Sequence, residues 1–363
     1  MSNGRKRTTQ SDVAKLAGVS PAVVSAVIGK GSHNIRVGET TRLRVLEAMR
    51  TLNYVPDIVA QTLAGGRRRI IGLFSFESVF PKEQNDFFRP FLLGVEKAAE
   101  DNGYDLMLFT SAPIEAGRKC IYQNGINRLG LADGVILLGR DPKITDLIQL
   151  EEEGFPFVYI GRKDAADHKL SYVAADYRRA TVDVIRHFKQ FGHQRIAYLG
   201  ETQPAERHLD REAGYASAVQ QGLIEGNAAL LHRADVDGIT PALLAEILEQ
   251  GATAAVVEDI QQAEQLYGLL NERNLRVPDD FSIGLLGEPD APTRLNLDWC
   301  GFTIPREEMG YQAFVSLLTR LEHNGAPSAS QLTLQCTFHP GVTVGPSRAN
   351  TEASTQLKQQ PSI

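Results

Sequence analysis

Side chains able to do chemistry are plentiful in this sequence, but they form no catalytic constellation. There is no phosphate-binding GxxxxGK[ST], no GxSxG, no HExxH and no strand-linked GxGxxG. The eight histidines do not cluster at metal spacing, and Cys120, Cys300 and Cys336 are scattered, which reads as reduced thiols. No catalytic residue, no metal and no cofactor are expected, so the protein is not expected to be an enzyme. Binding chemistry remains. Residues 1–69 carry 12 Lys+Arg against 4 Asp+Glu, a balance of +8, whereas residues 70–363 carry 26 against 40, a balance of −14. A compact basic head on an acidic body is suited to a polyanion.

The basic head must be held by residues 8–26, TTQSDVAKLAGVSPAVVSA. Thr9 with Asp12 three positions on is a helix start of the capping-box kind. Val13, Ala14, Leu16 and Ala17 supply an apolar face, and Gly18 breaks the helix. Ser20-Pro21 then reopens the chain as N-cap and first helical residue of a second helix over 21–28, with Val24, Val27 and Ile28 turned to the first. Two short helices about a glycine turn make a helix-turn-helix, whose second helix is sized for the DNA major groove.

Residues 29–38 read as a loop and 39–52 as a third helix, with Leu43, Val45, Leu46, Met49 and Leu52 inward and Arg42, Arg44 and Arg50 outward. Residues 57–64, DIVAQTLA, are long enough only for a marginal helix, ordered when something holds it.

From residue 70 onward, short apolar runs of strand length (70–76, 105–110, 134–138, 157–160) alternate with helical segments (89–102, 115–129, 143–153). A second set follows, with strands at 172–175, 195–199, 254–257 and 282–286 and helices at 177–190, 212–223, 240–250 and 261–274. Such alternation implies parallel sheets wound on both faces, and two sets imply two lobes with a ligand cleft at the strands' carboxyl ends. No apolar run is long enough to span a bilayer, and the polar, charged N-terminus is no secretory signal, so a cytoplasmic protein with no membrane partner is expected. Residues 347–363 read as a disordered polar tail without leucine heptads, which favours a dimer over a tail-bundled tetramer.

An ordered series of motifs then resembles the LacI/GalR family of bacterial transcription factors: AKLAGVS in the three-helix head, TRLRVLEA, LNYVPD and the alanine-glutamine-x-leucine segment at Ala60 to Leu63. It continues through Asn85-Asp86-Phe87-Phe88, Asp133-Gly134-Val135-Ile136, Gly192-His193-Gln194-Arg195-Ile196, Arg211-x-x-Gly214-Tyr215, Val277-Pro278-Asp279-Asp280 and Glu308-Met309-Gly310. The resemblance implies an α/β two-lobed periplasmic-binding-protein-like body, two doubly wound parallel sheets, preceded by a small all-α helix-turn-helix DNA-binding domain. The implied domains are 1–55 (DNA-binding), 56–69 (hinge helix and linker) and 70–346 (body), with a tail over 347–363. Lobe 1 is placed at about 70–172 and 304–330, lobe 2 at about 173–303 and 331–346, with crossings near 172, 303 and 331.

The resemblance further implies a homodimer on a palindromic double-stranded DNA operator, controlled by a small-molecule effector, a carbohydrate by class, in the cleft. A two-lobed solute-binding protein with no DNA-directed role is the alternative, opposed by the basic head. Position by position, the base-reading side chains fall on Pro21, Ala22 and Ala26; a polar or charged residue is frequent in the family at the positions of Pro21 and especially Ala26, and alanine can only touch a thymine methyl. Thr9, Ser20 and Ser25 are placed for phosphates, as are Lys30, His33, Asn34 and Arg36 of the loop. Leu63, beside Ala60 and Gln61, matches the leucine wedge of the hinge helix.

In the cleft, Arg211 matches the family's effector-gripping arginine. As the residue just before helix 212–223 it would also oppose the helix dipole; its structural alternative is a surface ion pair with Asp210 or Glu212. Phe87 and Phe88 would form an apolar wall, while Asp176 and Asp259 follow strands. The aspartate usual after strand 282–286 is replaced by Gly287, followed by Glu288; Glu258 adds another acid. If both acids line the cleft, it is expected to be more anionic than usual and to disfavour phosphorylated sugars.

Overall fold

In the computed structural model, Thr9 and Asp12 satisfy each other reciprocally. The Thr9 hydroxyl accepts from Asp12 N (3.3 Å), and the Asp12 carboxylate accepts from Thr9 N at 2.9 Å and from its hydroxyl at 2.7 Å. This starts α1 (Gln10–Ala17), which stops where Gly18 adopts φ +64, a left-handed conformation that glycine takes without strain. α2 (Pro21–Ile28) leaves at 104° to α1, within the usual helix-turn-helix range, and α3 (Glu39–Thr51) closes the head. Val13, Ala14, Ala17, Val24, Val45 and Ala48 form the core. Leu16 and Leu43, expected inside, are exposed. At about 100° per residue Leu16 is more than a quarter-turn off the face of Val13, Ala14 and Ala17, and Leu43 is on the far side of α3 from Val45.

The structure describes residues 8–28, 37–54, 68–76, 87–111, 114–115, 118–139, 142–165, 168–225, 230–288, 293–322 and 329–347. The chain divides into two compact units, 1–70 and 71–363. Among the described residues no single helix is long and apolar enough to cross a membrane.

Among the described residues the body holds two large sheets. The first uses β1 (Ile70–Ser75), β2 (Asp105–Phe109), β7 (Gly134–Leu138), β8 (Phe157–Ile160), β9 (Tyr172–Ala175) and β15 (Gln331–Leu334), in the order β15-β9-β8-β7-β1-β2. The second uses β10 (Ile196–Gly200), β11 (Leu231–Arg233), β12 (Ala254–Val257) and β13 (Ser282–Leu285), in the order β11-β10-β12-β13, all parallel. β7, β12 and β13 are buried along their whole length, as expected of strands covered on both faces. The helices are α4 (Arg89–Asn102), α5 (Ile144–Glu152), α6 (Tyr177–Gln190), α7 (Glu206–Gln220), α8 (Pro241–Glu249), α9 (Ile260–Glu272) and α10 (Arg306–Glu322). α4 and α10 touch backbone to backbone: a Cβ at Gly94 would strike the Glu307 carbonyl, and one at Gly310 the Phe91 carbonyl.

Beside β13, β14 (Gly301–Thr303) pairs antiparallel with β16 (Thr337–His339).

Four features differ from the sequence reading. Tyr172–Ala175 and Gln331–Leu334 pair with each other at the edge of the first sheet, so two lobe crossings fall after residues 175 and 334 rather than near 172 and 331. The described residues within 115–129 contain no helix. They carry short hairpins, β3 (Ile114–Glu115) with β4 (Arg118–Lys119) and β5 (Tyr122–Gln123) with β6 (Ile126–Asn127). Asn124 and Gly125, at φ 51 and 74, turn the second as an Asn-Gly pair does. α7 begins six residues earlier than expected, because Ala205 N donates to His208 Nδ1 at 3.2 Å, a helix start that lacks the usual Ser, Thr, Asp or Asn. Ser347, placed in the tail, is buried and donates its N–H to Phe191 O at 2.9 Å.

Candidate functional site

On the head, Thr9, Ser20, Pro21, Ala22 and Ser25 are exposed and Ala26 is half-buried. Ser20 acts as an N-cap, its hydroxyl accepting from Val23 N at 3.4 Å, and the Thr9 hydroxyl is engaged with Asp12. Gln10, which sequence reasoning passed over, donates to Pro21 O at 3.1 Å and ties α1 to the start of α2. Lys30, His33, Asn34, Arg36, Ala60 and Leu63 lie outside the described residues.

In the body, a cavity of about 1200 Å³, its open mouth included, lies between the lobes at the carboxyl ends of the strands. Six of the seven candidate effector residues line it: Phe87, Phe88, Arg211, Glu258, Asp259 and Glu288. Asp176 does not. It caps α6, accepting from Arg179 N at 3.0 Å, and β9 before it belongs to the first sheet rather than opening the second lobe.

Arg211 is not at a helix start but on the second turn of α7, and it is buried. Its Nε donates to Leu286 O at 2.7 Å, Nη1 to Arg207 O at 3.4 Å, and its guanidinium carbon stands 4.2 Å from the centroid of Tyr177. The neighbouring acids face elsewhere: Asp210 pairs with Arg162 at 2.9 Å and Glu212 with Arg233 at 2.6 Å. The surface ion pair is therefore not what holds it. Burial raises the pKa of Tyr177 and keeps its ring neutral beneath the cation.

The acids of the cavity are largely spoken for. Glu258 accepts from the Tyr198 hydroxyl at 2.5 Å and from Glu201 N at 2.9 Å. Asp259 caps α9, accepting from Gln261 N at 2.7 Å. Glu288 pairs with Arg306 at 3.0 Å and accepts from Ile304 N at 3.2 Å; Arg306 in turn lies over the Phe87 ring, 5.0 Å from its centroid. Burial first, then the charges of Asp259 and Glu258, raise the pKa of Glu201. Arg162, Lys163, Arg207 and Arg211 share the same walls, so the lining is mixed in sign rather than simply anionic.

Arg162 and Lys163 were missed by sequence reasoning, although two cations directly after the apolar strand β8 stand where such sheets bind ligands. Among the described residues no group of His, Cys, Asp or Glu is arranged to hold a metal.

A helix-turn-helix head and a two-lobed, cleft-bearing body define a DNA-binding transcriptional regulator by class. Residues 9–57 match the model of bacterial regulatory proteins of the lacI family, and residues 185–344 that of a periplasmic binding protein-like domain. The chain is 31% identical to the HTH-type transcriptional regulator CelR of Thermobifida fusca, over 87% of this chain and 93% of that protein. It is 31% identical to MalR of Streptococcus pneumoniae, over 58% of this chain and only 62% of that relative. Among solved structures, a transcriptional regulator CelR–cellobiose complex is 25% identical with a TM-score of 0.57, covering 93% of this chain and all of that one. A lac repressor dimer bound to operator shares the fold at a TM-score of 0.64 and 22% identity, over 94% of this chain and all of that one. The chain belongs to the lacI family of bacterial transcriptional regulators.

Proposed function

We propose that this protein is a cytoplasmic, homodimeric repressor that binds a palindromic operator and is controlled by a small sugar-class effector in the inter-lobe cavity. The observation that carries the reading is Arg211, a buried cation on the cavity wall, in a chain that also bears a helix-turn-helix head. Base contacts fall to Pro21, Ala22 and Ala26, whose small apolar side chains leave much of the sequence preference to groove shape. Thr9, Ser20, Ser25, Lys30, His33, Asn34 and Arg36 contact phosphate and set register. Leu63, with Ala60 beside it, wedges the minor groove when two hinge segments order together on bent DNA.

Phe87, Phe88, Arg211, Glu258, Asp259 and Glu288 receive the effector, and Asp176 supports the wall from behind as a helix cap. The CelR complex with cellobiose supports a carbohydrate ligand. Ligand and operator are linked reciprocally, each changing the other's affinity by the same factor.

Selection of palindromes from random DNA, followed by a salt titration, tests the reading. Affinity should fall as roughly the 0.9Z power of salt concentration for Z neutralised phosphates. Leu63→Ala should weaken binding and remove the bend. Failure to select any palindrome would overturn the proposal.

A further inference from the structure

Arg211 is only 6% exposed, yet no carboxylate among the described residues pairs with it. A guanidinium offers five N–H donors; here Nε and one Nη1 hydrogen serve backbone carbonyls, and Nη2 makes no hydrogen bond to a described residue. A buried cation without an anionic partner is costly, and such groups are ordinarily paired. Gly287 stands beside this free edge on the cavity wall: a Cβ there would lie 3.6 Å from Nη2, in ordinary contact. The space next to Nη2 is therefore open to the cavity, and the side chain that could have filled it is absent.

We infer that the cavity ligand is a sugar acid whose single carboxylate seats on the Nη edge of Arg211, in the space left by Gly287. The inference rests on the sugar-effector reading above and narrows its ligand class. The acids of the lining limit the charge that the ligand can carry. Glu288, Asp210 and Glu206 are matched by Arg306, Arg162 and Lys163. Glu201, Glu258 and Asp259 already crowd one another on the same cavity, so the dianion of a phosphate monoester would meet more repulsion than a singly charged carboxylate does. The planar, two-pronged Nη edge also suits a carboxylate better than a hydroxyl pair.

The test is calorimetric titration and thermal shift of the full-length protein with D-glucuronate, D-galacturonate and D-gluconate, against D-glucose, D-galactose and D-glucose 6-phosphate. The acids should bind and raise Tm, and the neutral sugars and the phosphate should bind at least tenfold more weakly. Arg211→Met should weaken acid binding by roughly 10- to 100-fold, the range for one charge-assisted contact. Gly287→Asp supplies an internal carboxylate and retains the Leu286 contact, so it keeps the test open if Arg211→Met fails to fold. It should raise the ligand-free Tm and abolish the response to acids. Neutral sugars or the phosphate binding as well as the acids would overturn the inference and leave the sugar-effector reading intact. No response to any of the six would overturn both.

Discussion

Arg162, carried by the first lobe just after β8, donates Nε–H to Asp210 Oδ2 on the second lobe at 2.9 Å. Lys163 repeats the connection to Glu206 at 2.7 Å, so two ion pairs from adjacent residues bridge the cavity to successive turns of α7. Burial opposes the Arg162 charge, and the Asp210 and Asp164 carboxylates more than restore it, so its pKa is raised and it stays charged. Each pair is only partly exposed, so about 0.5–1 kcal/mol apiece is a reasonable scale. The double substitution Arg162→Gln with Lys163→Gln should therefore shift the lobes toward an open form. Small-angle scattering should show a larger radius of gyration in the ligand-free protein, and effector affinity should fall several-fold. Unchanged scattering and affinity would rule out a latch.

The contact between α4 and α10 allows a sharper stability test. Gly94 and Gly310 let the two helix backbones meet, and a methyl at either position strikes a carbonyl oxygen rather than a movable side chain. Gly310→Ala should cost about 1–3 kcal/mol, as overpacking does. Denaturant unfolding measures it directly, and a variant as stable as the parent would show the helices to be more loosely packed.

In the head, Thr9→Ala removes both hydrogen bonds of the Thr9 hydroxyl with Asp12 and leaves only the bond from Thr9 N to the Asp12 carboxylate. The expected loss is about 1 kcal/mol. Hydrogen exchange in the full-length protein should report faster exchange across Gln10–Ala17, with operator affinity falling in step; protection unchanged in α1 would assign the cap no energetic role.

Stability should depend on pH through the histidines. His193 is fully buried, with Nε2 2.9 Å from Gly345 O and Nδ1 2.8 Å from the Thr253 hydroxyl. In the neutral ring Nε2–H donates to the carbonyl and Nδ1 accepts from the hydroxyl. Burial lowers the pKa of His193 below the ordinary 6.5, against a smaller opposing effect of the Gly345 bond. Burial likewise lowers His187 and His232. The unfolded chain then binds protons first, so the folded state is favoured most above about pH 6.5 and loses stability as pH falls through 6.5 toward the lowered values. Tm should drop between pH 7.5 and 5.5, and His193→Gln should flatten that slope. A slope identical in the variant would remove His193 from the account.

The sequence alone determined the elements whose cause is local. Period and capping delimit residues 177–190 and the apolar runs 134–138, 157–160 and 254–257, and Thr9 with Asp12 marks the first helix, because these signals act within a few residues. The Asn124-Gly125 turn was equally local and legible, but Ile121 and Leu129 around it also suit a helical face. Partnership was decided only by the tertiary structure. Asp210 and Glu212 flank Arg211 in the chain, yet their charges go to Arg162 and Arg233, 48 and 21 positions away, leaving the arginine with carbonyls and a ring. Burial and pairing are set by which strands and helices come to share one cavity, and sequence neighbours pointing off different faces of a helix have no say in it.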